Sequence, residues 1–308
     1  MGLDLKRTFD DPFSAGGRWY KGNVHTHSDR SDGTRTPEQL VSMYLGAGYD
    51  FLSIADHSVV TDVGGLDGHG LLLIPGEELC VGRSQARTHY HLVGVGVQET
   101  LPFRDFDYDL NPQRVVDEIN SLGGVSLLAH PYWSGLCHRD MMAVDEVCGV
   151  EIYNTSCDYE RNTGLSASHL DGLIAAGRRP YIFAVDDHHG ADRPTMPVDA
   201  CGAWIMVKAS SLEERDILES IRGGLFYSST GPEIKDIAVD GGGVIHVECS
   251  PARTVSFVST PSLGMKFHAR DRPITSVSYP GRPGETYVRV EVTDWEGRTA
   301  WSNPIYNV

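Results

Sequence analysis

Three things are scarce in this 308-residue chain: basic charge, long apolar runs and paired cysteines. Lysine and arginine number 26 against 42 aspartates and glutamates, for a formal net charge of −16. A nucleic-acid backbone and an anionic membrane both ask for a basic face, so neither is expected as a standing partner. No apolar run approaches the ~20 residues that span a bilayer. The opening MGLDLKRTFDDPFSAGG lacks the apolar core of a secretory leader, and Lys6 stands where a myristoylation signal carries Ser or Thr. The six cysteines (Cys80, Cys137, Cys148, Cys157, Cys201, Cys249) form no CxxC pair and are expected to be reduced and mostly buried. No internal repeat and no low-complexity segment interrupts the chain. These absences predict a soluble, cytoplasmic protein whose partner is a small-molecule substrate, with a homo-oligomer left open. A small anionic substrate stays allowed, because bound metals can supply positive charge locally.

What is present is alternation. Apolar strand-like runs at 22–27, 50–55, 71–75, 91–97, 124–129, 150–154, 181–185 and 203–208 alternate with helical stretches. Continuous apolar runs suit strands covered on both faces, as in a parallel sheet or barrel. Thr36-Pro37 marks a helix start and Gly48 its end; Asn111-Pro112 opens a second helix that closes at Gly123-Gly124. Ser211 with Glu214 reads as a capping box for a third. Seven or eight β-then-α units predict an α/β barrel over residues 1–231. From 232 to 308 helical periodicity disappears, and short alternating runs at 244–249, 254–259, 287–293 and 299–305 predict a small antiparallel, β-sandwich-like domain.

The chemistry sits at the strand ends. His25-Thr26-His27 follows the first run, and residues i and i+2 of a strand point to one side, so both imidazoles can meet one cation. Asp56-His57 follows the second run and Glu77-Glu78 the third; His91, with His89 two residues earlier, lies on the fourth. His130-Pro131 follows the fifth, and Asp186-Asp187-His188-His189 the seventh. Barrel enzymes build their sites at that end of the strands, and scattered core histidines have no reason to keep the phase. Imidazole and carboxylate without thiolate suits Zn, Mn, Fe or Co and argues against Cu(I), structural Cys-rich zinc or an iron–sulfur cluster. Seven or more ligands exceed the needs of one ion, so two or three divalent metal ions are expected.

Six segments, NVHTHSDRSDG (23–33), YDFLSIADHS (49–58), LLIPGEEL (72–79), HLVGVG (91–96), LLAHPYWSG (127–135) and FAVDDHHG (183–190), resemble the polymerase-and-histidinol-phosphatase (PHP) superfamily, in order, over the first two-thirds of the chain. HPYWSGL, YNTSCD and STGPEI look most like its carbaryl-hydrolase-related (CehA/McbA) branch. The resemblance implies a distorted (β/α)7 barrel with a trinuclear metal site at one rim. By position, one ion would take His25, His27, Glu78 and Asp187. A second would share Glu78 and add His91 and His130, and a third would use Asp32, His57 and His189. Asp32 stands where some members carry histidine. Asp186/His188 and Asp187/His189 both fit a DxH spacing, and the resemblance favours the later pair. Asp56 is expected behind the ligands, orienting an imidazole.

A hydroxide bridging two such ions would attack phosphorus in a phosphoesterase, with Glu78, Asp187 and His189 as the groups nearest the reaction and Asp187 or a histidine handling the leaving-group proton. Arg83, Arg87, His138 and Arg161 follow rim strands and are candidates to hold a phosphate. The alternative aims the same hydroxide at a carbamate, ester or amide carbonyl, with Tyr132 and Trp133 walling an aryl group. A third reading, a metal-binding structural module, would be expected to have lost ligands.

Overall fold

The computed structural model describes residues 7–190, 197–259 and 263–307; residues 1–6, on which the leader reading partly rests, lie outside it. Strands β1 (Arg7–Thr8) and β2 (Arg18–Asn23) lead into α1 (Pro37–Gly46), β3 (Phe51–Ile54), β4 (Leu72–Val81) and β5 (Tyr90–Val95). Then come α2 (Gln113–Ser121), β6 (Val125–Leu128), α3 (His138–Met141), β7 (Gly149–Asn154), α4 (Thr155–Arg161), α5 (Ala167–Ala175) and β8 (Tyr181–Val185). β9 (Trp204–Ala209), α6 (Glu214–Arg222) and β10 (Phe226–Ser229) complete the mixed α/β part. The remaining described residues hold strands alone: β11 (Ile234–Val239), β12 (Ile245–Ala252), β13 (Thr254–Ser259), β14 (Gly264–His268), β15 (Ile274–Tyr279), β16 (Tyr287–Thr293), β17 (Thr299–Ser302) and β18 (Ile305–Asn307). Among the described residues no helix is long and apolar enough to cross a membrane.

One large sheet runs β9-β2-β3-β4-β5-β6-β7-β8 through the α/β part. At its far side the chain returns to β2: His27 N–H donates to His188 O (3.0 Å) and Asp187 N–H to His25 O (2.9 Å). The ends of β2 and β8 therefore lie side by side. The expectation of uniformly parallel strands fails in places. β4 pairs antiparallel with β5, β5 with β6, and β2 with β9. For β4 and β5 the reason is connection length: residues 82–89 join them directly, with Gly82 at φ +66° making the turn, and a parallel return needs a longer crossover. β4 also runs on to Val81, so Glu77 and Glu78 lie within a strand rather than after one.

Local signals hold unevenly. Thr36 caps α1 through a reciprocal box with Gln39. The box at Ser211 does not form: Glu213 takes the N-cap position, and the Ser210 and Ser211 hydroxyls turn to Asp216 instead. In the tail, 299–305 splits into β17 and β18, and β11, β14 and β15 add strands that apolar alternation does not announce. Their alternation is interrupted by polar residues on both faces: β14 and β15 are largely exposed.

The tail is tied to the α/β part in two ways. β17 pairs with β10, which pairs with β9, so backbone hydrogen bonds are continuous across residue 231. Arg289 of β16, 2% exposed, donates from Nε and Nη2 to the two oxygens of Asp171 on α5 (both 2.8 Å) and from Nη1 to Glu291. Removing one partner of a buried ion pair strands the other charge. Asp171→Ala is therefore expected to destabilise the protein by about 3 kcal/mol, somewhat relieved by Glu291. Denaturant unfolding of the variant checks it, and a change within error of zero would show that water, not Asp171, satisfies the guanidinium.

Candidate metal centre

Successive strand ends deliver the side chains to one point. His25 and His27 extend from β2, His57 follows β3, Glu78 lies on β4, His91 on β5, and His130 follows β6. Asp187 and His189 follow β8. His130 (φ +26°) and Asp187 (φ +55°) both occupy the left-handed region, a conformation that costs about 1–3 kcal/mol in residues with a Cβ and clusters at functional sites. The strained turn swings each side chain inward from the end of its strand.

The central group is His25 Nε2, His27 Nε2, Glu78 Oε2 and Asp187 Oδ1, with separations of 3.0–3.2 Å. His25 gives its Nδ1 proton to Glu151 Oε1 at 2.7 Å, so in the neutral ring Nε2 carries a lone pair. The neutral His25 ring thus aims a lone pair at two carboxylate oxygens in a fully buried spot, and Asp187 Oδ1 has no hydrogen-bond partner. Such an arrangement is stable only with protons or a cation at its centre. The donor set of imidazole and carboxylate fits a divalent ion.

Glu78 spans two groups. Its Oε2 is 3.2 Å from His57 Nε2, while Oε1 is 2.9 Å from His91 Nδ1 and 3.3 Å from His130 Nε2. Asp32, half exposed, lies 3.3 Å from His189 Nε2, 3.5 Å from His27 Nδ1 and 3.8 Å from His57 Nε2. All nine side chains singled out in the sequence therefore face one cluster.

Electrostatics express the same crowding. Burial opposes charge on His57, yet Glu78, Asp105 and Asp32 raise it to about 9. Burial also opposes charge on His189, which Asp187 and Asp32 raise to about 10. Burial likewise disfavours the charged forms of Glu78 and Asp187, but the imidazoles outweigh it and hold both carboxyls well below the usual range.

The 186–189 ambiguity resolves geometrically. Asp186 turns away: it accepts N–H bonds from Cys201, Gly202 and Ala203 and hydroxyl bonds from Tyr44 and Thr155, while burial lifts it to about 6. His188 Nδ1 pairs with Asp199 at 2.6 Å. Only Asp187 and His189 reach the cluster. Asp56 corrects an expectation: it accepts from Ser28, Ser31 and Thr61 and so shapes the 28–31 turn, touching no imidazole. The orienting carboxylates are Glu151 on His25 and Asp105, 3.2 Å from His57 Nδ1. Glu151 was legible as a lone charge inside the apolar run 150–154; nothing in the loop sequence marked Asp105.

Glu151 also accepts from His130 N–H (2.9 Å) and Asn154 Nδ2 (3.0 Å). Partners behind a metal ligand are worth about 10–100-fold in affinity. Glu151→Gln is expected to weaken metal binding by that order, read by competition with a chromophoric chelator. An unchanged affinity would assign Glu151 to packing alone.

A cavity of ≈ 960 Å³ opens over the cluster, lined also by Arg87, Phe106, Trp133, Cys157 and Arg161. Trp133 stands edge-on to His130 and His91 (5.0 and 5.6 Å between centroids), donates Nε1–H to Glu160, and carries the Arg161 guanidinium over its ring. Arg83 and His138 do not line it: Arg83 packs on the Tyr108 ring, and His138 opens α3 beside Gly172. Tyr132 is half exposed and faces a different cavity, away from the cluster. His89 lines the cavity but turns Nδ1 to Gly82 O, so only His91 of that HxH reaches Glu78. All six cysteines are free, and two of them, Cys80 and Cys157, face the cavity, which the sequence reading missed.

A two-domain protein from Bacteroides vulgatus containing a predicted PHP-like metal-dependent phosphoesterase superposes with a TM-score of 0.53, covering 100% of this chain and 98% of that one at 15% identity. The chain has the PHP-like fold. An amidohydrolase from Chromobacterium violaceum, solved with sulfate and no metal, matches at a TM-score of 0.41 and 16% identity over 56% of this chain and 88% of its own. In sequence, an uncharacterized protein from Methanocaldococcus jannaschii is 23% identical over 167 residues, 50% of this chain and 86% of the relative. No family model matches the chain. The likeness extends to the fold, over the whole length of this chain; the carbaryl-hydrolase-related branch finds no support among these relatives.

Proposed function

We propose that the chain is a metal-dependent phosphoesterase of the PHP superfamily acting on a small phosphorylated molecule. The observation that carries this is the convergence of His25, His27, Glu78 and Asp187 on one buried point, with 3.0–3.2 Å between nitrogens and carboxylate oxygens. We read β2–β8, joined end to end by the His27–His188 contact, as a distorted (β/α)7 barrel over residues 1–231, with residues 232–308 as a small β domain.

His25, His27, Glu78 and Asp187 would hold one ion, Glu78 with His91 and His130 a second, and Asp32, His57 and His189 a third, as Zn, Mn or Fe. Divalent ions there would supply an activated water and offset the charge that grows on a phosphoryl oxygen. The chain's own residues do the rest. Glu151 fixes the tautomer of His25 by accepting its Nδ1–H, Ser134 engages Nδ1 of His130, and the Asp105 carboxylate lies 3.2 Å from His57 Nδ1 as its ion-pair neighbour. Asp187 and His189 reach the cavity floor, and whichever of them is not held by an ion there would move the leaving-group proton. Arg87 and Arg161, on the cavity wall, suit a phosphate.

A second reading, cleavage of a carbamate, ester or amide, draws on Trp133: its ring against His91 and His130 offers an apolar wall for an aryl group. Metal-loaded protein assayed in parallel on p-nitrophenyl phosphate, a nucleoside monophosphate and an aryl carbamate separates the two. Phosphate turnover alone is expected; carbamate turnover alone would replace the first reading with the second. No turnover, with less than one metal per chain, would overturn both.

A further inference from the structure

Cys157 lies in the first turn of α4 and is buried. Its Sγ is 3.9 Å from Asp187 Oδ2, which is 3.7 Å from His130 Nε2, and the ligand atoms of all three residues lie within 4.8 Å of one another. Donors at about 2.0–2.3 Å from a tetrahedral ion stand ~3.3–3.6 Å apart, so the sulfur–oxygen and oxygen–nitrogen separations each need only a few tenths of an ångström of closure, and the thiol must also turn towards His130, which it approaches within 4.8 Å. One side chain sets the spacing. Asn154 accepts the Cys157 N–H on Oδ1 (3.0 Å) and donates Nδ2–H to Asp187 Oδ2 (3.1 Å), holding the thiol-bearing turn and the carboxylate together. His130, 2% exposed, has its Nδ1 engaged by Ser134 at 3.0 Å, which leaves Nε2 aimed at the same point. Asp187 Oδ1, on the other edge of that carboxylate, has no hydrogen-bond partner.

We propose that Cys157 is a thiolate ligand, completing with His130 and Asp187 a mixed nitrogen, oxygen and sulfur position in the metal cluster. This rests on the metal-centre reading above and sharpens its metal identity. A sulfur donor shifts the position towards zinc, cobalt or ferrous iron and away from manganese and magnesium, which prefer oxygen. On binding, the S–H bond breaks, a sulfur–metal bond forms, and the proton leaves to solvent. Cys80 is the natural control. Its Sγ is 3.2 Å from His91 Nε2 in the same cavity, but among the described residues it belongs to no group of three metal-capable atoms.

Cobalt(II) loading of the whole chain tests this without reference to turnover. The expected spectrum shows a sulfur-to-cobalt charge-transfer band in the near ultraviolet, which persists in Cys80→Ser and is lost in Cys157→Ser and Cys157→Ala. Bound cobalt without that band in the unaltered protein overturns the proposal and needs no variant to fold. A band that survives in Cys157→Ser, or vanishes in Cys80→Ser, overturns it equally. If no cobalt binds at all, the metal-centre reading fails and takes this one with it.

Discussion

Replacement of Glu78 by glutamine is expected to lower kcat/KM on a phosphomonoester by about 10³-fold or more. The two carboxylate oxygens of Glu78 divide five imidazoles between them: His25, His27 and His57 on Oε2, His91 and His130 on Oε1. Glutamine keeps the shape but replaces one oxygen by an NH2 that must point its protons at ring nitrogens. The buried site loses a negative charge that two ions would share. Charge stabilisation by such ions is worth several kcal/mol in the transition state, and each 1.36 kcal/mol is tenfold in rate. Steady-state kinetics with metal content measured on the same sample decide the matter. Turnover within tenfold of the parent at equal metal content would remove Glu78 from the centre of the site.

Stripping the metal is expected to abolish turnover and to lower the melting temperature by roughly 6 °C for each ion lost, if the ion is normally present near a thousand times its Kd. The same experiment has a pH signature. With pKa values of about 9 and 10, His57 and His189 are protonated at neutral pH in the metal-free cluster. An incoming cation must displace those protons, so affinity rises as pH rises towards 9–10, by up to about tenfold per unit for each proton lost. The metal-free protein behaves oppositely. Raised histidine pKa values stabilise the fold fully below about 6.5, and that contribution is lost as pH rises through 9 and 10. Calorimetric titration in buffers of differing ionisation enthalpy should therefore detect proton release at pH 7. Metal uptake with no proton release and no pH slope would contradict this account of His57 and His189.

Sequence and structure divide the work by the range of the interaction. Strand positions were readable because apolar runs and their bounding glycines and prolines act locally, and because every cluster residue follows or lies on such a run. Direction was less readable. Antiparallel pairing of β4 with β5 depends on an eight-residue connection that turns back at Gly82, which apolar patterning does not register. Asp56 and Asp105 show the same limit in the site. The acid next to His57 in sequence serves a turn, while the acid that reaches His57 comes from a loop 48 positions away.

By itself the sequence determined that imidazoles and carboxylates would lie on or directly after successive apolar runs, since those runs and their bounding turns are set by local pattern. Only the tertiary structure decided which of Asp186 and Asp187 turns inward. Both fit the spacing, but backbone N–H groups of residues 201–203 claim Asp186, and a left-handed turn at Asp187 presents its carboxylate to the cluster. Tertiary structure alone also brought Cys157 beside His130, because Asn154 ties its helical turn to Asp187 across 33 residues of chain. A ligand set is a matter of convergence in space, and local patterning can specify each arm of it but not where the arms meet.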